Sequence, residues 1–310
     1  MLQTTIAKTI TCTGIGLHSG KQVELTLRPA SENTGIIFSF RNGSGSNFLA
    51  PRPELVVDTG MATTLGDGRD KVSTVEHLLA AVRGLGVDNV HIEAGGWELP
   101  IMDGSAASFV YLLHQAGIRK QRLARKVLRF KKPIVFEQDG KSITARPHEG
   151  FRLDYTIDFA HPIIGRQRLA HEVTPEVFET ELSKARTFGF LREVEYLHAN
   201  GLALGGSLEN AVVLDEFSVL NPDGLRFEDE FVRHKMLDFV GDMAVMELPL
   251  YGAFEVFASG HGLNNQFLRY LNAHRSEYLE EIELAEPRLA AQPAVQPERE
   301  ARPDAMPAVA

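Results

Sequence analysis

The chain has 310 residues, of which 44% are hydrophobic and 24% are charged, so it can build a substantial core in one large or two ordinary domains. Its single cysteine, Cys12, excludes an internal disulfide and any cysteine-rich zinc knuckle, so a metal site would have to use His, Asp or Glu. The formal net charge of -9 argues against a nucleic-acid partner, because binding a phosphate backbone needs a dense cationic surface.

The start of the chain does not resemble a secretory signal. Residues 1–20 lack the basic segment, the apolar run and the small-residue cleavage site of a secretory signal. No later run approaches the roughly 18 apolar residues that a membrane-spanning helix needs. We therefore predict a cytoplasmic protein without a transmembrane segment. The tail at 286–310 is rich in Pro, Ala and charge and has no aromatic anchor, which predicts disorder.

Alternating apolar and polar residues, bounded by Gly, Pro and Asn, predict strands in both halves of the chain. Apolar residues at helical spacing predict helices between them. Because the elements follow one another without a regular βαβ order, the pattern indicates an α+β fold. In chain order the predicted elements are strands at 23–27 and 35–40, helix 74–82, strand 89–93, helix 106–116, strands at 133–136 and 152–158, helices at 175–184 and 230–243, strand 252–257 and helix 264–271.

A basic, turn-prone stretch at 117–126 divides the chain into two halves with the same outline. Each half has early strands, then a helix that carries a histidine, His77 or His234, and then another strand. We predict two similar domains, at 1–120 and 127–275, with a functional site in the cleft between them.

The predicted helix at 230–243 gathers polar residues on one face. His234, Asp238 and Asp242 recur at i, i+4 and i+8, with Lys235 beside them, and apolar residues occupy the other side. This spacing fits two ligands of one metal. It also fits an ordinary i,i+4 pair on the solvated side of an amphipathic helix, and this helix taken alone favours the ordinary pair.

A second predicted helix places Glu76 directly before His77. Ser73 and Glu76 have the spacing of a capping box, which is the alternative to a catalytic role for Glu76. His77 lies in the first turn, where the helix dipole favours the neutral imidazole that a metal ligand requires. With His234 and Asp238 it would leave an open coordination position, which is typical of a catalytic zinc.

Two further histidines lie beside glycines. His18 is in a glycine-rich turn, and we interpret it as structural rather than as a ligand. His261 lies between two glycines after a predicted strand, where an exposed loop residue is the simplest interpretation. If it faces the cleft, Asp242 could hold one of its ring nitrogens and make it a general acid. The chain has no His-Glu-x-x-His and no Walker motif, which excludes the common metalloprotease and P-loop patterns.

Six segments occur in a fixed order along the chain: TGIGLH at 13–18, STVEHL at 73–78, PIMDGSA at 100–106, ARTFGF at 185–190, GLRFEDEFVRHKMLD at 224–238 and SGH at 259–261. Together they closely resemble the zinc-dependent UDP-3-O-acyl-N-acetylglucosamine deacetylase family, LpxC, of lipid A biosynthesis. The resemblance spans residues 3 to about 270. It implies two similar domains, each a small, mostly antiparallel sheet with a helical layer, packed helix to helix with the active site between them.

The resemblance also implies roles for particular residues. His77, His234 and Asp238 correspond to the ligands of one Zn²⁺ ion, with Fe²⁺ as the alternative metal. Glu76 corresponds to the base that activates a metal-bound water, and His261 to the general acid supported by Asp242. The remaining assignments are Thr187 for stabilising the oxyanion, and Lys235, Phe188, Leu191, Val194, Ala203 and Leu208 for contacting the substrate.

The implied reaction is hydrolysis of the N-acetyl group of UDP-3-O-(3-hydroxyacyl)-N-acetylglucosamine with release of acetate, an early committed step of lipid A biosynthesis. The implied partner is this UDP-linked sugar, bound by a monomer. The family often has a basic residue three positions before the loop histidine, whereas this chain has Ala258, so the diphosphate contacts stay open. The segment 190–213 resembles the acyl-chain passage, with ordinary core as its alternative. A catalytically silent nucleotide-sugar binding protein and a hydrolase of another substrate are the competing functions.

Overall fold

A computed structural model describes residues 1–40 and 48–284. The chain forms an α+β fold of several small, mostly antiparallel sheets with helices, as predicted. The tail predicted to be disordered, 286–310, lies outside the described residues. Within the described part, no helix combines the length and the apolarity needed to cross a membrane.

The first half of the chain contains β1 Leu2–Ile6, β2 Ile10–Ile15, β3 Gln22–Pro29, β4 Ile36–Phe40, β5 Phe48–Leu49, a 3₁₀ turn Pro53–Leu55, β6 Val56–Asp58, β7 Thr64–Gly66, β8 Lys71–Val72, α1 Glu76–Gly84, β9 Val90–Ala94 and α2 Ala107–Ala116. Its main sheet has the order β2-β3-β9-β4-β5, in which only β4 and β9 are parallel. Every second side chain of β3, including Val23, Leu25 and Leu27, is buried, so this face of the sheet packs on the core.

The second half contains β10 Ile118–Ala124, β11 Lys126–Phe130, β12 Ile134–Gln138, β13 Lys141–Arg146, β14 Phe151–Asp158, β15 Arg166–Glu172, α3 Pro175–Val177, a π-helical turn Phe178–Leu182, β16 Phe188–Phe190, α4 Leu191–Ala199, β17 Val212–Leu214, α5 Glu230–Met243, β18 Leu250–Phe257, α6 His261–Ala273, α7 Arg275–Tyr278 and β19 Leu279–Glu283. At the centre of its seven-stranded sheet, β18 pairs antiparallel with β13 and parallel with β11 and β14.

Helices α1 and α5 pack directly against each other in the core. They cross where Gly241 meets the start of α1. A Cβ atom at Gly241 would lie 2.0 Å from the carbonyl oxygen of Glu76, so only glycine allows this approach. The two helices that were predicted to carry the site are therefore neighbours. The proposed domain boundaries, 1–120 and 127–275, stay a prediction.

Two predictions about local structure were wrong. The stretch at 117–126 is not mainly a turn, because β10 within it pairs antiparallel with β1. Its charged side chains are mostly exposed on this two-stranded ribbon, which explains why the sequence lacked the signature of a buried strand. The predicted helix 175–184 breaks into α3 and a π-helical turn, and α4 was not predicted at all.

Candidate metal centre and cavity

Three side chains from the two packed helices meet at one point. The Nε2 atoms of His77 on α1 and His234 on α5 lie 3.5 and 3.3 Å from Oδ1 of Asp238. One potential ligand atom from each residue lies within 4.8 Å of the others. All three residues are at least 96% buried, so this is not the solvated face of an amphipathic helix. The group is placed to hold a metal ion.

The orientation of His234 is set by the chain that follows the π-helical turn. Its Nδ1 donates a hydrogen bond to the carbonyl oxygen of Ala185 at 3.0 Å, which leaves the Nε2 lone pair directed at Asp238. Ala185 is held in turn through Arg186, whose backbone N–H and side-chain Nε each donate to the buried carboxylate of Glu230 at 2.9 Å. A buried ion pair thus fixes the tautomer that metal binding requires.

Burial and charge at this centre fit a cation. Oδ1 of Asp238 is buried and has no hydrogen-bond partner among the described residues, and the same holds for Nδ1 of His77. Burial lowers the pKa of His234 to about 4, so its ring is neutral. Burial alone would raise the pKa of Asp238, but its interactions with the His234 imidazole and with the Lys235 ammonium hold it well below its usual range. Two neutral imidazoles and a carboxylate form a donor set typical of zinc.

Glu76 is the first residue of α1, and its carboxylate does not form the capping box that its spacing with Ser73 allows. Oε2 of Glu76 accepts the backbone N–H of Thr63 at 3.0 Å, while the N–H of Ser73 donates to the carbonyl of Trp97. Glu76 is 3% exposed, and burial raises the pKa of its carboxyl. The capping alternative is therefore excluded.

His261 is not an exposed loop residue, as the glycines on either side suggested. It begins α6 and is half-buried. Its Nδ1 donates to Oδ2 of Asp242 at 2.8 Å, and its Nε2 lies 3.9 Å from Oε1 of Glu76. Burial by itself lowers the pKa of His261, but the charge and hydrogen bond of Asp242 outweigh it and raise this pKa to about 10. The imidazole beside Glu76 is therefore a cation.

Lys235 and Thr187 complete the polar part of the site. Nζ of Lys235 donates to Oδ2 of Asp238 at 2.7 Å and lies 5.6 Å from the ring centroid of Phe188. Thr187 is held by its backbone, which donates to the carbonyl of Gly104 at 2.7 Å and accepts from Val212 at 2.8 Å. These bonds connect the PIMDGSA and ARTFGF segments at the cavity wall.

All of the predicted site residues except Asp242 border one cavity of about 560 Å³. Its polar part includes Glu76, His77, Thr187, His234, Lys235, Asp238 and His261. Its apolar part includes Phe188, Phe190, Leu191, Val194, Leu197, Ala203 and Leu208. The structure therefore brings every predicted site residue to this cavity, with Asp242 behind His261. Their individual roles stay predictions.

Several residues of the site were not predicted. Thr63 and Asn264 both donate to Asp242, at 2.6 and 2.7 Å, without bordering the cavity. Met61 and Leu197 line the cavity, and no motif pointed to either. Leu197 could have been found from the amphipathic spacing of α4. No sequence motif indicates Thr63, because Asp242, to which its hydroxyl donates, is distant in the sequence.

His18, predicted to be structural, lies in a turn with its ring at the cavity wall. The turn is held by Glu98, which accepts the backbone N–H groups of His18 and Ser19 at 2.7 and 2.9 Å. The ring of His18 is not part of the three-residue metal group.

A second cavity of about 420 Å³ lies at the far ends of α1 and α5. Its cations already have partners: Arg83 donates to the carbonyls of Met246 and Glu247, and Arg125 pairs with Asp88 at 2.8 Å. No predicted site residue borders it. The larger cavity is therefore the candidate functional site.

Fold and site together define the class as an α+β protein with a candidate metal centre buried at a deep, partly apolar cavity. A family model described as LpxC, UDP-3-O-acyl N-acetylglycosamine deacetylase, matches residues 3–273. The chain belongs to this family.

Curated relatives with the same description align over nearly the whole chain. A protein of Oleidesulfovibrio alaskensis named UDP-3-O-acyl-N-acetylglucosamine deacetylase is 63% identical over 286 residues, which are 92% of this chain and 94% of the relative. Proteins with this name from Nitratidesulfovibrio vulgaris and Lawsonia intracellularis are 62% and 55% identical, over 92% and 87% of this chain and 92% and 89% of their own lengths.

Proposed function

We propose that this chain hydrolyses the N-acetyl group of UDP-3-O-(3-hydroxyacyl)-N-acetylglucosamine with the help of zinc and releases acetate, an early committed step of lipid A biosynthesis. The observation that carries the proposal is the meeting of His77, His234 and Asp238 with Glu76 and His261 beside an apolar cavity. The names of the relatives support the same reaction. We further propose that the enzyme is cytoplasmic and monomeric.

The metal would be held by His77, His234 and Asp238. When bound, zinc supplies a Lewis acid for the acetyl carbonyl and lowers the pKa of water at the site toward ~7. Nitrogen and carboxylate ligands also suit Fe²⁺, so the donor set is compatible with either metal. Lys235 neutralises part of the charge of Asp238 and keeps this carboxylate ionised as a ligand.

The protein side chains supply the two proton transfers. Glu76 accepts a proton from the attacking water, for which a buried carboxylate with a raised pKa is well suited. The C–O bond forms, Thr187 donates a hydrogen bond to the developing oxyanion, and the C–N bond breaks. His261, held as a cation by Asp242, donates a proton to the departing nitrogen. The products are acetate and the free amino sugar.

The apolar part of the cavity would take the 3-O-acyl chain. Phe188 and Val194 are half-buried in its wall, while Leu191 and Leu208 are 47% and 43% exposed. An alkyl chain bound there would cover these apolar surfaces as well as its own. Ala203 gives the remaining predicted contact of this part.

Acetate release from this substrate, measured with and without a chelator, tests the reaction and its metal dependence. Glu76→Gln should keep stoichiometric zinc and lower kcat by about 10²- to 10⁴-fold, because it removes only the base. Asp238→Ala should instead lose zinc, because it removes a ligand. Full activity in the Glu76→Gln enzyme would refute the role of Glu76, and no acetate from zinc-loaded wild type would refute the reaction.

A further inference from the structure

Thr63 is the one described residue that donates hydrogen bonds to the carboxylates of both Glu76 and Asp242. It lies directly before β7, is 2% exposed, and is not part of the cavity wall. Its backbone N–H donates to Oε2 of Glu76 at 3.0 Å, and its hydroxyl donates to Oδ1 of Asp242 at 2.6 Å. One residue thus connects a carboxylate of α1 with a carboxylate of α5.

The two carboxylates turn their other oxygens toward opposite nitrogens of the same imidazole. Oδ2 of Asp242 is 2.8 Å from Nδ1 of His261, and Oε1 of Glu76 is 3.9 Å from its Nε2. A carboxylate anchored through one oxygen cannot rotate without breaking a charge-assisted hydrogen bond, which is stronger than a neutral one. Thr63 therefore holds, in each of the two carboxylates, the oxygen that is not directed at His261.

We propose that Thr63 is a positioning residue for both proton transfers, holding Glu76 and Asp242 in fixed orientations around His261. The inference rests on the proposed function, which assigns the base and the acid. The two contacts of Thr63 use different atoms, so a side-chain substitution affects Asp242 and leaves the N–H bond to Glu76 in place.

The fold should survive loss of the hydroxyl. Oδ2 of Asp242 keeps its bonds to His261 and to Nδ2 of Asn264, the latter at 2.7 Å, and Asn264 is itself held by the hydroxyl of Ser259. Valine has nearly the shape of threonine, so Thr63→Val removes the hydrogen bond without opening a cavity. In this variant the Asp242 carboxylate can rotate more freely, because its Oδ1 has lost the bond to the hydroxyl.

The test compares steady-state acetate release by the zinc-loaded enzyme and three variants. Thr63→Val should lower kcat by about 10- to 100-fold, the range expected for one hydrogen bond to a charged group. KM and zinc content should not change, because Thr63 does not border the cavity and its hydrogen bonds to carboxylates go to Glu76 and Asp242 rather than to Asp238. Thr63→Ser should restore most of kcat. Thr64→Val, which loses the partly buried bond from the Thr64 hydroxyl to Ser73 at 2.9 Å, should stay within about twofold of wild type.

Unchanged kcat in Thr63→Val would overturn the proposal, as would an equal loss in the serine variant or in Thr64→Val. A rise in KM at constant kcat would also overturn it, because that result indicates a binding role. Thr63→Ala provides a second variant without the hydroxyl should the valine variant not fold. If the zinc-loaded wild type releases no acetate, the proposed function fails and the inference fails with it.

Discussion

The polar and apolar parts of the cavity differ in burial and in what holds them in place. In the polar part, His77, His234 and Asp238 are each at most 4% exposed and stand on two packed helices. In the apolar part, Leu191 and Leu208 are more than 40% exposed and belong to α4 and to the irregular segment after it.

The interactions that hold the two parts of the cavity wall differ as well. A buried ion pair and bonds to charged side chains hold the polar part. Neutral bonds hold the segment beside the apolar part: main-chain bonds from Leu204 and Gly205 to His18 and Leu17, at 3.2 and 2.9 Å, and side-chain bonds from Asn210 and Asn221 to carbonyl oxygens of the same segment. Under the proposed function, this contrast predicts a rigid reaction centre beside a more adaptable binding wall. Substitutions in the polar part should therefore affect stability, metal content and kcat, and those in the apolar part should affect KM.

The largest effect is expected at the ion pair of Arg186 and Glu230, whose side chains are 8% and 0% exposed. Arg186→Met leaves the carboxylate of Glu230 buried without its cation, which should cost about 3–5 kcal/mol in the free energy of unfolding. Zinc affinity should fall too, because Ala185 then holds His234 less firmly. Urea unfolding and zinc titration measure the two effects.

The matched control is Arg168→Met, which breaks an ion pair with Asp154 of similar length, 2.7 Å, whose arginine is 64% exposed. It should change stability little, since exposed pairs are screened by solvent. Equal losses in the two variants would contradict the claim that burial makes the Arg186 pair important. Unchanged zinc affinity in Arg186→Met would contradict the link from Ala185 to the metal centre.

The next largest effect is expected at Gly241, where α1 and α5 cross. Helix propensity and the space available for a side chain predict opposite changes in stability at this position. Alanine forms helix better than glycine by about 1 kcal/mol, so propensity alone predicts that Gly241→Ala stabilises α5. The contact predicts destabilisation by about 1–3 kcal/mol, because the new Cβ would meet the carbonyl oxygen of Glu76 at 2.0 Å and force α1 and α5 apart. The sign of the change in the urea midpoint decides between them. Gly189→Ala, where a Cβ meets no atom within 4 Å, is the control.

The sequence predicted best those features that depend on local periodicity. The helix at 230–243 was predicted with the bounds it has in the structure. Its i,i+4 spacing brought His234 and Asp238 to one face, because a helix repeats every 3.6 residues. What periodicity could not decide was whether that face meets solvent or another helix. In the structure α1 packs against α5. This close packing depends on Gly241, which has no side chain and therefore contributes nothing to a hydrophobic pattern.

The features that escaped prediction depend on contacts between distant segments. Thr63 reaches Asp242 across 179 positions, so no motif could join them. His261 was placed in a loop because its two glycines suggested flexibility, yet Gly260 has an extended backbone and α6 begins directly after it. Helix α4 was not predicted although Leu191, Val194 and Leu197 recur in it at helical spacing; these side chains border the cavity rather than the core.

The smallest effect is expected in the apolar part, where the proposed acyl contact can be tested without disturbing the fold. Leu208 is 43% exposed in the cavity wall, so Leu208→Ala should leave the free energy of unfolding nearly unchanged. KM for the acylated substrate should rise by about 3- to 10-fold, because the acyl chain loses apolar surface to bury, while kcat should stay the same. Leu204→Ala is the control, since Leu204 lies in the same segment, is 54% exposed and does not border the cavity. A fall in kcat at constant KM would show that the apolar part also positions the reacting amide, and the division between a rigid centre and a separate binding wall would then be wrong.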